Sequence, residues 1–142
     1  MIARKLKTYL ESRPAIVNKL AAEKWGIRIR VDFIPQGMPR PYVRLQELGA
    51  TPDYHLAGEL SDLKTRVQCD VWADSEAEAE EIAELIRLAP LSGYRGSWEG
   101  TPVQAVKIAF ESGTHEDEKD GSDDVAYRNT RDYQITYQRA VN

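Results

Sequence analysis

The chain has 142 residues, 42% hydrophobic and 30% charged, a composition typical of one globular domain spanning residues 1–142. No run of about 18 apolar residues is present, so a transmembrane helix is excluded. The formal net charge is −4, but residues 115–124 hold six carboxylates and one lysine, a local charge of −5. The rest of the chain is therefore near +1, which is not the concentrated basic charge typical of a nucleic-acid-binding protein.

The first third of the chain predicts two helices, a strand and a loop. Residues 2–12 have apolar positions at helical spacing, and a second helix begins at Pro14 and ends at Gly26. Residues 27–33 alternate between apolar and polar side chains, which predicts a strand with Phe33 on its apolar face. The next eight residues contain three prolines and a glycine, so they predict an extended loop.

The middle of the chain has the most regular pattern. Residues 42–48 predict a strand, residues 49–52 interrupt it, and residues 54–60 continue as a ragged strand or loop. Residues 65–73 then alternate strictly and predict a half-buried strand. Its apolar face consists of Val67, Cys69 and Val71. Its other face carries Arg66, Gln68, Asp70 and Trp72.

Behind this strand the apolar period changes to that of a helix. Ser75 and Glu78 predict a capping box, in which the hydroxyl accepts from a helix amide and the carboxylate reaches back. The apolar stripe of the helix contains Ala79, Ile82, Ala83, Ile86 and Ala89. A helix that follows a strand so closely is expected to pack on the apolar face of the sheet.

The last third of the chain predicts three strands. Residues 94–98 and 103–111 form a hairpin through Glu99 and Gly100, and residues 125–141 form the last strand. The apolar face of the middle strand contains Val106, Ile108 and Phe110. The predicted fold is α+β, a mostly antiparallel sheet with N-terminal helices and one central helix packed on it. Its order is α-β-β-β-α-β-β-β when the two N-terminal helices are counted together.

Signals for catalysis or metal binding are weak. His55 and His115 are distant in sequence from each other and are interpreted as exposed loop residues. Cys69 is predicted to be buried and unreactive, and as the only cysteine it excludes an internal disulfide and suits a reducing cytoplasm. The charged first residues lack the apolar core of a secretory signal. We therefore expect no enzyme, no metal and no cofactor.

The acidic segment, residues 115–124, partly resembles a calcium-binding loop. Glu116, Glu118 and Asp120 stand at the first three ligand positions, but Tyr127 occupies the position that requires a bidentate glutamate. The match fails, and the segment is interpreted as a charged hairpin loop.

The polar face of the strand at residues 65–73 has two interpretations. A mixed face of Trp and Arg suits a protein–protein contact, because these residues supply much of the energy of such interfaces. Alternatively, the N-terminal helices cover part of this face as a second layer. The sequence favours neither.

Residues 53–91 resemble a family of phage proteins. The resemblance is carried by Asp53, Tyr54, Leu56, Gly58, Leu63, Arg66, Gln68, Asp70, Trp72 and Ala73. The loop upstream is similar to the family's loop before its second strand, through Pro35, Gly37, Pro41 and Tyr42. The family is that of the tail completion or tail terminator proteins of long-tailed phages and prophages, formerly a domain of unknown function. The likeness covers nearly the whole chain.

The resemblance implies a non-enzymatic structural virion protein without catalytic residues or cofactors. Its α+β protomer is expected to form a homohexameric ring that caps the tail tube and joins it to the head connector. The implied partners are further copies of the chain, the tail tube protein and the head completion or connector protein, with no membrane and no specific nucleic acid. The implied location is the head–tail interface of the virion, and the host cytoplasm during assembly.

Ring closure requires a heterologous interface, so two different surfaces of each protomer must match. The candidate interface contains Arg66, Gln68, Asp70, Trp72, Glu116, Asp117, Glu118 and Asp120. The acidic segment is more acidic than expected of the family, and an acidic channel lining would repel DNA that passes through it.

Three alternatives stay open. The first is another head–tail connector or minor tail protein, and the second is a small cytoplasmic ligand-binding α+β domain. The third is nucleic-acid binding, which would use four arginines and show strong salt dependence. These arginines are Arg28, Arg30, Arg40 and Arg44.

Overall fold

The computed structural model describes residues 1–55, 58–89, 94–118 and 125–138, which form three helices and eight strands. The helices are α1 (Ile2–Glu11), α2 (Pro14–Leu20) and α3 (Glu76–Leu88). The first strands are β1 (Ala21–Ala22), β2 (Gly26–Ile27), β3 (Ile29–Val31) and β4 (Tyr42–His55). The later strands are β5 (Gly58–Ala73), β6 (Gly96–Trp98), β7 (Thr101–Glu118) and β8 (Val125–Gln138).

Six of these strands form one sheet in the order β3-β4-β5-β8-β7-β6. Only β3 and β4 are parallel, and the other neighbours in this sheet are antiparallel. The short strands β1 and β2 form a separate hairpin. The α+β prediction and the predicted order of the six sheet strands around the central helix are therefore confirmed.

The central helix α3 begins where the capping pattern predicts. The Ser75 hydroxyl accepts a hydrogen bond of 3.2 Å from the Glu78 backbone N–H. Glu78 Oε1 is buried without a hydrogen-bond partner, so this oxygen does not form the reciprocal half of the box. Four residues of the predicted apolar stripe are buried, namely Ala79, Ile82, Ala83 and Ile86.

All three helices contribute to one core on the same side of the sheet. The sheet side of this core is formed by alternate residues of the central strands, including Val43, Leu45, Val67, Cys69, Val71, Tyr133 and Ile135. The helix side includes Ile2, Leu6, Leu10, Ile16, Leu20, Ile82 and Ile86. The interpretation in which the N-terminal helices cover the opposite face is therefore wrong. We call that opposite face, which carries Arg66 and Gln68, the open face. No helix in the described ranges has the length and hydropathy needed to cross a membrane.

Two predictions for the first third of the chain are wrong. The second helix ends at Leu20 rather than Gly26, because the next residues turn into the β1–β2 hairpin, where Ala22 pairs with Gly26. Phe33 is 82% exposed instead of buried. Asp32 adopts a positive φ of 68°, which ends β3 at Val31 and turns the following residue away from the sheet.

The turn at Glu99 and Gly100 is confirmed, since Trp98 pairs with Thr101 and both turn residues have positive φ. Phe110, however, does not share the apolar face of Val106 and Ile108. Three register shifts interrupt β7 where it pairs with β8, and one lies between Ile108 and Phe110. An extra residue at such a β-bulge reverses the faces that follow.

The long hairpins extend further than the alternation indicates. Strand β4 continues to His55 and β5 begins at Gly58, so the interrupted region is part of a hairpin. Strand β7 reaches Glu118, so both histidines lie in strands and the loop prediction is wrong for residues 115–118. The remainder of the acidic segment, residues 119–124, lies outside the described residues.

Replacing Ser75 by alanine tests the cap of α3. The Ser75→Ala variant is expected to lose about 1 kcal/mol of unfolding free energy, because a helix amide loses its acceptor. Ser75→Asp keeps an acceptor and should stay near the wild type. Urea denaturation measures the difference, and Ser97→Ala, at an exposed serine in β6, should change stability by less than about 0.5 kcal/mol. Equal losses at both serines would contradict the capping role.

Candidate assembly surface

The open face is organised around Asp70, which is fully buried near the C-terminal end of β5. Its Oδ1 accepts from Thr130 Oγ1 at 2.7 Å and from the Arg128 guanidinium at 3.1 Å. Its Oδ2 accepts from Arg44 at 2.9 Å and from Gln68 Nε2 at 2.9 Å. Because Arg44 lies on β4 and Thr130 and Arg128 lie on β8, one carboxylate connects three adjacent strands.

The charge state of Asp70 follows from this environment. Burial by itself raises the pKa of the Asp70 carboxyl, because it removes water from the charged form. Hydrogen bonds from Thr130, Arg44 and Gln68, together with the charge of Arg128, outweigh that effect and hold the pKa below its ordinary value. The carboxylate is therefore ionised and fully hydrogen-bonded, which suits a structural role better than acid–base chemistry.

Trp72 stands two residues after Asp70 and lies between the same two arginines. The guanidinium carbons of Arg44 and Arg128 are 5.2 Å and 5.0 Å from the Trp72 ring, within cation–π range. The Tyr42 ring lies 5.5 Å away. The proline-rich loop, residues 34–41, covers this end of the open face. The contact is made through a second apolar cluster, with Trp25 and Ile34 packed against it; its buried members are Met38, Tyr42, Trp72 and Ala126.

The two groups of predicted interface residues therefore have different environments. Asp70 and Trp72 are buried within the protomer, whereas Arg66 is 51% exposed and donates to Asp132 Oδ2 at 2.6 Å. Sequence alternation found the face but missed that Asp70 is buried by arginines from β4 and β8. The available signal was the opposite charge of Arg44 and Asp70, which pair directly in the antiparallel ladder.

The acidic candidates lie on β7, at the same end of the sheet as Trp72. Glu116 is exposed in β7, and Asp117 and Glu118 continue that strand, while Asp120 lies outside the described residues. Glu116 pairs with Tyr127, whereas Arg66 pairs with Gln134, seven residues further along β8. At about 3.3 Å per residue Arg66 therefore lies about 23 Å from Glu116 along the strands. Trp72, which pairs with Arg128, lies at nearly the same level as Glu116, two strands away.

The four arginines considered for nucleic-acid binding all bind within the protomer. The buried Arg28 donates to the carbonyl oxygens of Leu20, Pro39 and Arg40, and so ties α2 to the proline-rich loop. Arg30 donates to three backbone carbonyl groups, those of Trp25, Ile27 and Ile29. Arg40 pairs with Asp74 at 2.8 Å, and Arg44 pairs with Asp70. These guanidinium groups stabilise the fold.

The remaining candidates for catalysis or ligand binding are the cysteine, the histidines and one cavity. The predicted burial of Cys69 is confirmed, and this burial, with the nearby charge of Asp70, raises the pKa of the thiol well above its ordinary range. His115 is exposed, as predicted, although it lies in a strand. The described ranges contain no group of three or more metal-ligating side chains. A cavity of about 590 Å³ is lined almost wholly by the proline-rich loop itself.

The sheet thus carries three helices on one face and a hydrogen-bonded polar cluster on the other. Comparison with known families places the protein among the phage tail structural proteins. A family model, tail completion protein gp17, matches residues 5–137, and the chain belongs to this family. The resemblance to tail completion proteins seen in the sequence is therefore confirmed.

Solved structures share the fold. A chain in the virion of a native gene transfer agent particle aligns with a TM-score of 0.68 at 14% identity, covering 93% of this chain and 91% of the other. A second protein without a descriptive name aligns with a TM-score of 0.51 at 14% identity, covering 98% and 97%. A search of curated proteins finds no significant match.

The Asp70→Asn variant tests whether the buried carboxylate holds the three strands together. It leaves Arg44 and Arg128 without their counter-charge, and removing one partner of a buried ion pair typically costs 3–5 kcal/mol, so a loss of about 3 kcal/mol is expected. Urea denaturation at neutral pH measures it. The matched control is Asp74→Asn, at an exposed ion pair, which should cost less than about 1 kcal/mol.

The wild type and the Asp70→Asn variant are also expected to differ in how their stability depends on pH. Because the folded-state pKa of Asp70 lies below the unfolded value of about 3.9, its contribution is complete above that value and is lost as the pH falls through the folded-state pKa. Unfolding free energy measured from neutral to acidic pH should therefore fall less steeply in Asp70→Asn than in the wild type. An equally steep fall of the unfolding free energy in both proteins would contradict the lowered pKa of Asp70.

Proposed function

We propose that the protein is a non-enzymatic subunit of a ring that caps the phage tail tube and joins it to the head connector. Membership of the tail completion family supports a structural role in the tail. The open face supports it as well, because its central carboxylate is fully hydrogen-bonded and its aromatic residue lies between two arginines.

The single observation on which the proposed ring rests is a pair of strand edges, on opposite sides of the sheet, that no described strand pairs with. We call them the open edges. Strand β3 pairs with β4 only from Val43 to Leu45, and among the described residues nothing pairs with the outer side of residues 46–55. At the other side, β6 pairs with β7 only from Thr101 to Val103, so no described strand pairs with the outer side of residues 105–118. Unpaired edges of this length are templates for another strand.

The strand directions fit a head-to-tail ring. Strands β4, β5, β8 and β7 alternate in direction, so β4 and β7 run opposite to each other. A rotation about an axis along the strands preserves every direction, and β4 of one protomer would then lie antiparallel to β7 of the next. The contact uses two different surfaces, as a closed heterologous ring requires.

The proposed location is the head-proximal end of the tail, with the tail tube protein on one side of the ring and the head completion or connector protein on the other. The acidic β7–β8 hairpin would border the channel, where carboxylates repel passing DNA. The main alternative is a connector or minor tail protein of the same fold. Such a protein would bind a different component of the virion.

Reconstitution with the tail tube protein tests the ring. Purified protein added to growing tubes should arrest their elongation and appear as rings of about six subunits on tube ends, in negative-stain images and by light scattering. A monomer in solution remains compatible, because the template can drive assembly by mass action. Tube protein alone is the control. Tubes that elongate unchanged and stay uncapped at high concentrations of the added protein would contradict the proposal.

Neutralising the acidic segment tests its place at the channel. The four substitutions are Glu116→Gln, Asp117→Asn, Glu118→Gln and Asp120→Asn. They should leave capped tubes intact but slow DNA ejection, because a neutral lining no longer repels the phosphates. The matched control removes four other carboxylates, which are exposed, through Glu23→Gln, Glu76→Gln, Glu80→Gln and Glu99→Gln. Unchanged ejection and assembly in the first variant would remove the channel role.

A further inference from the structure

Both open edges carry a large exposed apolar side chain, and each lies at a β-bulge. Phe110 on β7 is 51% exposed, directly after the register shift that separates it from Ile108. Leu48 on β4 is 46% exposed and is the extra residue between Glu47 and Gly49. Inside the protomer these two side chains lie on opposite sides of the sheet, with β5 and β8 between their strands.

The two residues lie at nearly the same level of the sheet. Phe110 pairs with Asp132, Asp132 pairs with Gln68, and Gln68 pairs with Gln46. Gln46 stands two residues before Leu48 on β4. A separation of two residues is the diagonal spacing of cross-strand neighbours, which aromatic and long side chains span. A second copy placed edge to edge without a large shift would therefore bring Leu48 close to Phe110.

We propose that Leu48 of one protomer packs against Phe110 of the next copy of this chain. The inference rests on the proposed ring and names the side chains that select its register. A one-residue slip of a strand reverses all its faces, and apolar contacts at the edge penalise such slips. The bulge before Phe110 contributes directly, since regular alternation would put Phe110 on the same face as Ile108.

Cysteine cross-linking tests the contact with the full-length protein. The native Cys69 is buried and does not compete for reagent. A chain carrying both Leu48→Cys and Phe110→Cys, assembled on tail tubes and treated with a short bismaleimide, should give a ladder of covalent oligomers that ends at the size of the ring. Each single variant should lack the ladder, and an equal mixture of the two singles should stop at dimers.

Leu88→Cys combined with Phe110→Cys is the matched control. Leu88 is also exposed and apolar, but it lies at the end of α3 and on neither open edge. This pair should give no ladder. A ladder from the control pair equal to that from the first pair would overturn the inference, because cross-linking would then reflect crowding rather than the proposed contact.

A charge exchange gives a second measurement that does not depend on cysteine. Leu48→Lys and Phe110→Glu should each abolish capping of tail tubes, and the two substitutions in one chain should restore it. Circular dichroism and thermal unfolding, which should match the wild type, show that each variant is folded.

The outcomes distinguish a failure of the Leu48–Phe110 contact from a failure of the proposed ring. Rings on tube ends that give no Leu48–Phe110 cross-links and tolerate both single charges would overturn the contact and leave the proposed function standing. A wild-type chain that never caps tubes would overturn the proposed function and this inference together.

Discussion

The burial of one carboxylate constrains most of this fold. Asp70 lies on β5, an inner strand of the sheet, and its buried charge is tolerated because donors from β4, β5 and β8 surround it. Its two arginines must in turn stack on Trp72, and the proline-rich loop then packs over that ring. The core on the other face depends on helix burial, but the register of the three central strands depends on this polar cluster.

Much of the fold could be predicted from local pattern. The alternation at residues 65–73, the cap at Ser75 and the turn at Glu99 and Gly100 each follow from neighbours in sequence, and each is confirmed. Two of the errors, at Phe33 and Phe110, have a common physical source. A single backbone residue, Asp32 at positive φ or the bulge before Phe110, changes which face the next side chain takes, and alternation carries no signal of it.

The candidate surface was harder to predict, because its residues are defined by partners from distant strands. Alternation placed Arg66, Gln68, Asp70 and Trp72 on one face, and the sequence alone left open whether they serve the fold or a neighbour. Asp70 and Trp72 serve the fold, since both are buried by residues more than 25 positions away. Residues that identify the family are thus partly residues that stabilise its sheet.

The distribution of bulges has a consequence for specificity. Strands β5 and β8 pair over twelve residues without a shift, whereas both outer strands, β4 and β7, are interrupted repeatedly. An irregular edge is a poor template for arbitrary strands, because only a partner with matching kinks can form a continuous ladder. Among the described residues, the edges of this sheet are therefore selective for a strand with matching irregularities. The bulges that obscure the sequence pattern thus restrict which strands can pair with the edges of the sheet.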